Sequence, residues 1–258
     1  MKITWYGTAT LRLESDQGRV LIDPFFRRYG NRERLCNIFS RENAVFITHG
    51  HFDHISNVYH IFGKRKDIKI FATKTPIRTL IEDGMEPEIF HEVEIGDCVA
   101  VNGFEARVWR GKHIRFDGKL VQNTICSKRM LTHMTDFFRD IVRWTHYKEA
   151  GETVFWEFRA EGKRVQVIGS ASIDETENYP VGADLLALSY QGRSDIETYV
   201  QPIIEKLQPK CIMPIHFDDS FPPISSEVDM DGFERMMRER FPNIQLMIPQ
   251  LDVTYEIG

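Results

Sequence analysis

Apolar and polar positions mark out a series of short strands along the chain before any single residue is considered. Residues 2–6, 10–14 and 19–23 read as three short strands in quick succession, separated by Gly7 and by Asp16-Gln17-Gly18. Residues 44–47 are a continuous apolar run leading into Thr48, and 68–72 are apolar apart from Lys69, as expected of strands largely buried on both faces. Between them the spacing predicts a helix over 54–62, and another follows over 75–83 with Pro76 in its first turn. Further strands are expected at 98–101 and 104–110. The second half repeats the theme, with strands at 153–159, 164–169, 184–189 and 211–215 and helices at 196–207 and 233–241. Strands in runs, with helices between some of them, predict an α/β architecture of two sheets covered by helices. No Pro/Gly/Ser linker divides the chain, so residues 1–258 are expected to form one domain.

The strand pattern is interrupted over 114–152. Within 131–148, Phe137, Phe138, Ile141, Val142 and Trp144 recur on one face of a helix. That face is expected to pack on the core; the other uses of such a helix are a mobile lid or a surface for a partner, including a second copy. His133 and His146 fall in the same segment and read as surface or packing residues.

Composition narrows the function classes. The 258 residues are 42% apolar and 28% charged, ordinary for a globular enzyme with a small-molecule substrate. A net charge of −5 argues against a general nucleic-acid binder, which needs a basic surface for phosphates. The four cysteines (Cys36, Cys98, Cys126, Cys211) are dispersed and none forms a C-x-x-C pair, as expected of reduced thiols. No apolar stretch has the pattern of a signal peptide or the length of an integral membrane segment, so a cytoplasmic location is expected.

One stretch carries chemistry. Residues 48–54 read Thr48-His49-Gly50-His51-Phe52-Asp53-His54, directly after the apolar run Ala44-Val45-Phe46-Ile47. A buried strand thus ends in three imidazoles and a carboxylate, donors suited to zinc, copper, iron or nickel. His49 and His51 lie two apart, so an extended chain projects both to one side, where they can hold one ion. Asp53 and His54 come one turn later and can face a second. Four other polar residues stand at the ends of apolar runs: Asp23 after Leu21-Ile22, His113 after Trp109-Arg110-Gly111-Lys112, Ser170 after Val167-Ile168-Gly169, and His216 after Pro214-Ile215. The ends of successive strands are where α/β folds assemble their sites. A carboxylate such as Asp23 can orient a ligand from behind.

With these residues in order, the chain resembles the metallo-β-lactamase-fold hydrolases, whose H-x-H-x-D-H motif stands intact at His49, His51, Asp53 and His54. Within them it is most similar to the branch of the bacterial ascorbate-phosphate lactonase and N-acylphosphatidylethanolamine phospholipase D. The resemblance implies a four-layer αββα sandwich with its site along one edge. It also implies His49, His51 and His113 on one ion, with Asp53, His54 and His216 on the other. Two positions depart from the family pattern. Ser170 stands where an aspartate normally bridges both ions, which puts the second ion in question; Asp174, four residues on, is a possible replacement ligand. Thr8 follows Gly7 where relatives often carry a histidine.

The chemistry expected of such a site is hydrolysis of an ester, lactone, amide or phosphodiester. One or two divalent ions are expected, zinc first, with manganese, iron or nickel accepting the same donors. A zinc ion held by three neutral histidines lowers the pKa of its bound water from about 15.7 to near 7. Asp53 is the candidate to orient that water and accept its proton. Arg27, Arg28, Arg32 and Arg34 follow Asp23, and Arg110, Lys112 and Arg115 flank His113. Arg28, Lys112 and Arg115 are the candidate substrate-binding residues, pointing to an anionic substrate, although such charge runs also serve as solvated surface. Ser170 supports a second reading, a degraded metal- or ligand-binding protein without turnover. A nuclease is opposed by the acidic balance, and a di-iron oxidoreductase by the absence of acidic residues at His51 and Ser170.

Overall fold

The computed structural model describes residues 1–258. Strands β1 (Lys2–Trp5), β2 (Leu11–Ser15), β3 (Gly18–Ile22), β4 (Ala44–Phe46), β5 (Lys69–Ala72) and β6 (Phe90–Glu92) pair in that order in a first sheet. A second sheet runs through β7 (Cys98–Val101), β8 (Phe104–Arg110), β9 (Val154–Ala160), β10 (Lys163–Ile168), β11 (Leu185–Ser189), β12 (Cys211–Ile215) and β13 (Gln245–Leu246). The last strand, β14 (Thr254–Glu256), returns to the first sheet antiparallel to β1.

The period of two decides which side chains go where. In β3, Val20 and Ile22 face the other sheet while Leu21 faces outward to helices; in β4, Ala44 and Phe46 face inward and Val45 outward. Both faces are covered, which is why these strands read as unbroken apolar runs. Phe46 joins the sheets, stacked on Phe71 at 4.7 Å and edge-on to Trp156 and Phe158 at 4.9 and 5.0 Å. Helices α1 (Arg32–Phe39), α2 (Phe52–Ile55), α3 (Val58–Phe62) and α4 (Lys74–Glu82) lie on the side of the first sheet. Phe39, Val58, Phe62 and Leu80 from this group pack on Val45 and Ile70. The layering is therefore helices, sheet, sheet, helices, as expected.

The single helix expected over 54–62 is two. The Ser56 N–H closes α2 on the Phe52 carbonyl, and the Asn57 side chain leaves the helical path to accept from Phe26 N at 2.8 Å. The interruption over 114–152 holds three helices, α5 (Gly118–Ile125), α6 (Lys128–Thr132) and α7 (Met134–His146), the last of which accounts for most of the helix expected over 131–148. Asp117 and Ser127 cap the first two by accepting from Leu120 N and Met130 N. His133, outside helical geometry, separates α6 from α7. On the far side of the second sheet, α8 (Ile196–Leu207) and α9 (Asp231–Arg240) bury Val200, Ile203, Phe233 and Met236 in the main core.

The pairings fix where strands end. β3, β4 and β5 run parallel, as do β10, β11 and β12, and β8 has the direction of β10 because each is antiparallel to β9. Asp23, the 48–54 stretch, His113, Ser170 and His216 all follow the carboxyl ends of these strands. Five strands from across the sequence thus deliver polar residues to one edge.

Candidate metal centre

The site is built outward from Asp23. This carboxylate is fully buried and accepts from Thr48 N at 2.8 Å, Thr48 Oγ1 at 2.5 Å and His54 Nδ1 at 2.8 Å. Thr48 Oγ1, having given its proton to Asp23, accepts from His49 Nδ1 at 3.0 Å. His113 Nδ1 donates to the Ile114 carbonyl at 2.8 Å. Each of these three imidazoles spends its Nδ1 proton on a fixed partner and presents a bare Nε2, the tautomer that a metal needs.

Two convergent trios result. The donor atoms of His49, His51 and His113 lie within 4.8 Å of one another, and so do those of Asp53, His54 and His216. Ring centroids are 5.0 Å apart for His49 and His51, 4.5 Å for His51 and His113, and 3.9 Å for His49 and His54. Asp53 Oδ2 sits 3.0 Å from His216 Nε2 and 3.8 Å from His54 Nε2.

Electrostatics set Asp53 and the trio of His49, His51 and His113 in ligand form. Burial, reinforced by the neighbouring imidazoles, pushes His49 well below the ordinary histidine range. Burial likewise holds His51 at about 4, against the pull of Asp53, and lowers His113. For Asp53, burial favours the neutral acid, but His54 and the hydrogen bond from His216 outweigh it and hold the carboxyl far below the usual range. His54 runs the other way: burial opposes its charge, yet Asp23 and Asp53 raise it. Five imidazoles crowded around the one carboxylate of Asp53 are poorly compensated by protein alone. The donor set fits one or two divalent cations, and the buried His216 Nδ1, which has no hydrogen-bond partner, marks where the protein network stops.

Sequence reasoning missed the group that holds His216. Its backbone has a left-handed φ of +59°, and its N–H donates to the Thr8 carbonyl at 2.7 Å. Thr8, itself at φ +48°, donates from N to Asp218 Oδ1 at 2.9 Å and from Oγ1 to Ser220 Oγ at 2.7 Å. Asp218 is in turn paired with Arg27 Nε at 2.8 Å. Such strained residues persist only where their surroundings over-determine them. The cluster of Asp218 and Ser220 just after His216 was the available signal.

Ser170 lies at the site as expected, and its Oγ accepts from Ile114 N at 3.0 Å, fixing the backbone beside His113. The preceding Gly169 cannot be larger: a Cβ there would fall 2.2 Å from Thr48 Oγ1. Asp174 does not join the trios. It accepts from Thr176 N and Oγ1 in its own turn and pairs with Lys112 at 3.5 Å.

The trios form the floor of a cavity of about 410 Å³ whose walls include Ile114, Phe116, Phe137, Ile141, Trp144 and Phe221. None of the expected anion-binding residues lines it. Arg28 is spent on Asp140 at 2.5 Å and on the Pro222 carbonyl, tying α7 to the 222 loop. Lys112 is held by Asp174, and Arg115 contributes its carbonyl to Arg193. Arg193 does reach the cavity, but its guanidinium forks onto Asp195 at 2.6 and 2.9 Å. Charge runs in the sequence were matched to structural carboxylates, and an apolar wall took the place expected for a basic one.

A family model described as a beta-lactamase superfamily domain matches residues 2–216, from the first strand to His216. The chain belongs to the metallo-β-lactamase-fold hydrolases. A UPF0173 metal-dependent hydrolase of an Exiguobacterium species is 27% identical over 88% of this chain and 90% of its own length. Another, from Mesorhizobium japonicum, is 29% identical over 44% of this chain, a match that spans only 48% of that relative. Among solved structures, a metallo hydrolase of the archaeon Ignicoccus hospitalis superposes with a TM-score of 0.65 over 100% of this chain and 99% of its own, at 18% identity. At that identity the likeness establishes the fold. In this metallo-β-lactamase-fold chain no helix is long and apolar enough to cross a membrane.

The role of Asp23 is directly testable. Asp23→Ala leaves Thr48 N, Thr48 Oγ1 and His54 Nδ1 without their acceptor in a fully buried position. Thermal or urea unfolding should show a loss of about 3 kcal/mol. Metal titration of the folded fraction should show affinity reduced roughly 10–100-fold. An unchanged affinity would mean that His54 is oriented by something other than Asp23.

Proposed function

We propose that this protein is a metal-dependent hydrolase that cleaves an ester, lactone or amide of an apolar acyl or aryl group. The observation that carries this reading is the combination of two His/Asp trios with an apolar-walled cavity directly above them. His49, His51 and His113 would hold one divalent ion, and Asp53, His54 and His216 the second, weaker one. Zinc is the first choice for such donors, with manganese, iron and nickel as alternatives. When bound, a divalent ion with an open coordination position acidifies water into a nucleophile and polarises the scissile carbonyl.

The chain's own residues supply the rest. Asp53, ionised and a member of the second trio, orients the attacking water and takes its proton. Ile114, Phe116 and Trp144 exclude bulk water and position the apolar part of the substrate above the floor. Four unpaired thiols suit a reducing compartment, and we place the activity in the cytoplasm.

A chain-length series of uncharged esters tests this reading. Each added CH₂ that enters the cavity should raise kcat/KM by roughly fourfold, from about 0.8 kcal/mol per buried methylene, until the walls are filled. Trp144→Ala should lower kcat/KM for the longer esters by about tenfold and leave the shortest nearly unaffected. Preference for phosphorylated over uncharged substrates, or indifference to chain length, would overturn the apolar assignment. Ser170 favours one other reading, a ligand-binding protein without turnover. Protein prepared without chelator that carries no metal would establish it instead.

A further inference from the structure

The three helices over the cavity carry more apolar surface outward than inward packing explains. On α7, Phe137, Ile141 and Trp144 face the cavity, while Phe138 and Val142 point away and are 61% and 67% exposed. Leu131, near the end of α6, is 72% exposed, and Val121 and Ile125 on α5 are both exposed and part of the cavity rim. The apolar arc is therefore continuous from the cavity, across its mouth, to the outer surface. Exposed apolar stretches of this kind mark interaction sites.

Charge distinguishes the partner. Residues 114–148 hold seven Lys/Arg and three Asp, a local excess of positive charge in a chain whose net charge is −5. Lys119, Lys128 and Lys148 are exposed and pair with no acidic side chain. A helical surface with apolar residues flanked by free cations fits the interface of a bilayer that contains anionic lipids. A second copy of this acidic chain seated on the same surface would close the cavity mouth. A bilayer leaves that mouth open to acyl groups in its plane.

We infer that helices α5–α7 dock the enzyme on an anionic lipid surface, with the cavity mouth facing the membrane so that an acyl substrate enters from the bilayer. The docking step stands on the surface alone; the entry of substrate rests on the hydrolase reading above.

Flotation with phosphatidylcholine vesicles, with and without phosphatidylglycerol, tests the docking. The full chain should float with the mixed vesicles, stay largely behind with pure phosphatidylcholine, and be released at high salt. A Leu131→Asp/Phe138→Asp/Val142→Asp variant should remain soluble at every vesicle composition while cleaving a short water-soluble ester at the native rate. Should that variant fail to fold by circular dichroism, Lys119→Glu/Lys128→Glu provides the second test, with vesicle affinity lowered at least about tenfold. The inference is overturned if the native chain floats with neither vesicle. It is equally overturned if sedimentation shows a dimer that the triple variant abolishes, because the face then belongs to a second copy. Vesicle binding without any ester turnover would uphold the docking and sink the hydrolase reading alone.

Discussion

Replacing His51 with alanine should strip the protein of its tighter metal and of turnover together. His51 is the middle member of its trio, its ring 5.0 Å from that of His49 and 4.5 Å from that of His113. Two imidazoles remain in His51→Ala, and a donor lost from the inner set costs more affinity than the roughly 10–100-fold typical of an outer partner. Asp53→Asn separates two roles. It keeps the side-chain volume but removes the charge and the proton acceptor, so kcat should fall by about 10²–10⁴-fold. The His49, His51 and His113 trio is untouched, so one ion per chain should survive. Elemental analysis beside steady-state rates on a short ester reads both outcomes. Native turnover in either variant would remove Asp53 or His51 from the chemistry.

The candidate ligands were legible because they are local or mark strand ends. His49, His51, Asp53 and His54 fall within six positions, and a metal site leaves few other reasons for such crowding. His113 and His216 were found from apolar runs that stop at a histidine, since the parallel sheet order brings those stops to one edge. The main strands were equally legible, because burial on both faces makes their apolar runs continuous. Short edge elements were not: β6, β13 and β14 have two or three residues each, too few for a periodic signal.

Residues whose roles depend on distant partners could not be read. Arg28 looked like an anion-binding residue because its partner, Asp140, lies 112 residues away. Thr8 looked like a departure from the family pattern. Its carbonyl in fact anchors the main chain of His216, a role that any residue able to hold φ +48° could fill and that no composition reveals. The helices over 114–152 hid their arrangement for a related reason. Their apolar arc is wide enough to face both cavity and exterior, so amphipathicity alone could not separate core packing from a wall with an exposed outer face.

The second large effect should come from giving this site the carboxylate it lacks. In the native chain the two trios share no carboxylate: Asp53 belongs to the trio of His54 and His216, and nothing equivalent lies between it and His49. Ser170 lines the cavity where such a group would stand, but its hydroxyl is a poor ligand and already accepts from Ile114 N. Native protein should therefore keep about one ion per chain after dialysis. Ser170→Asp can retain the Ile114 hydrogen bond through one oxygen and direct the other, with a full charge, toward both trios. The second ion should then bind at least about tenfold tighter, since a charged partner contributes roughly 1.5–3 kcal/mol where a neutral one gives little. Stoichiometry after dialysis should rise from one to two. Ser170→Asn is the control, because it preserves size and acceptor without the charge, and it should stay at one. Two tightly held ions in the native protein, or a Ser170→Asp variant that still holds one, would show that the second trio is set by its own three donors. In that case the missing bridge has no bearing on how many ions the fold retains.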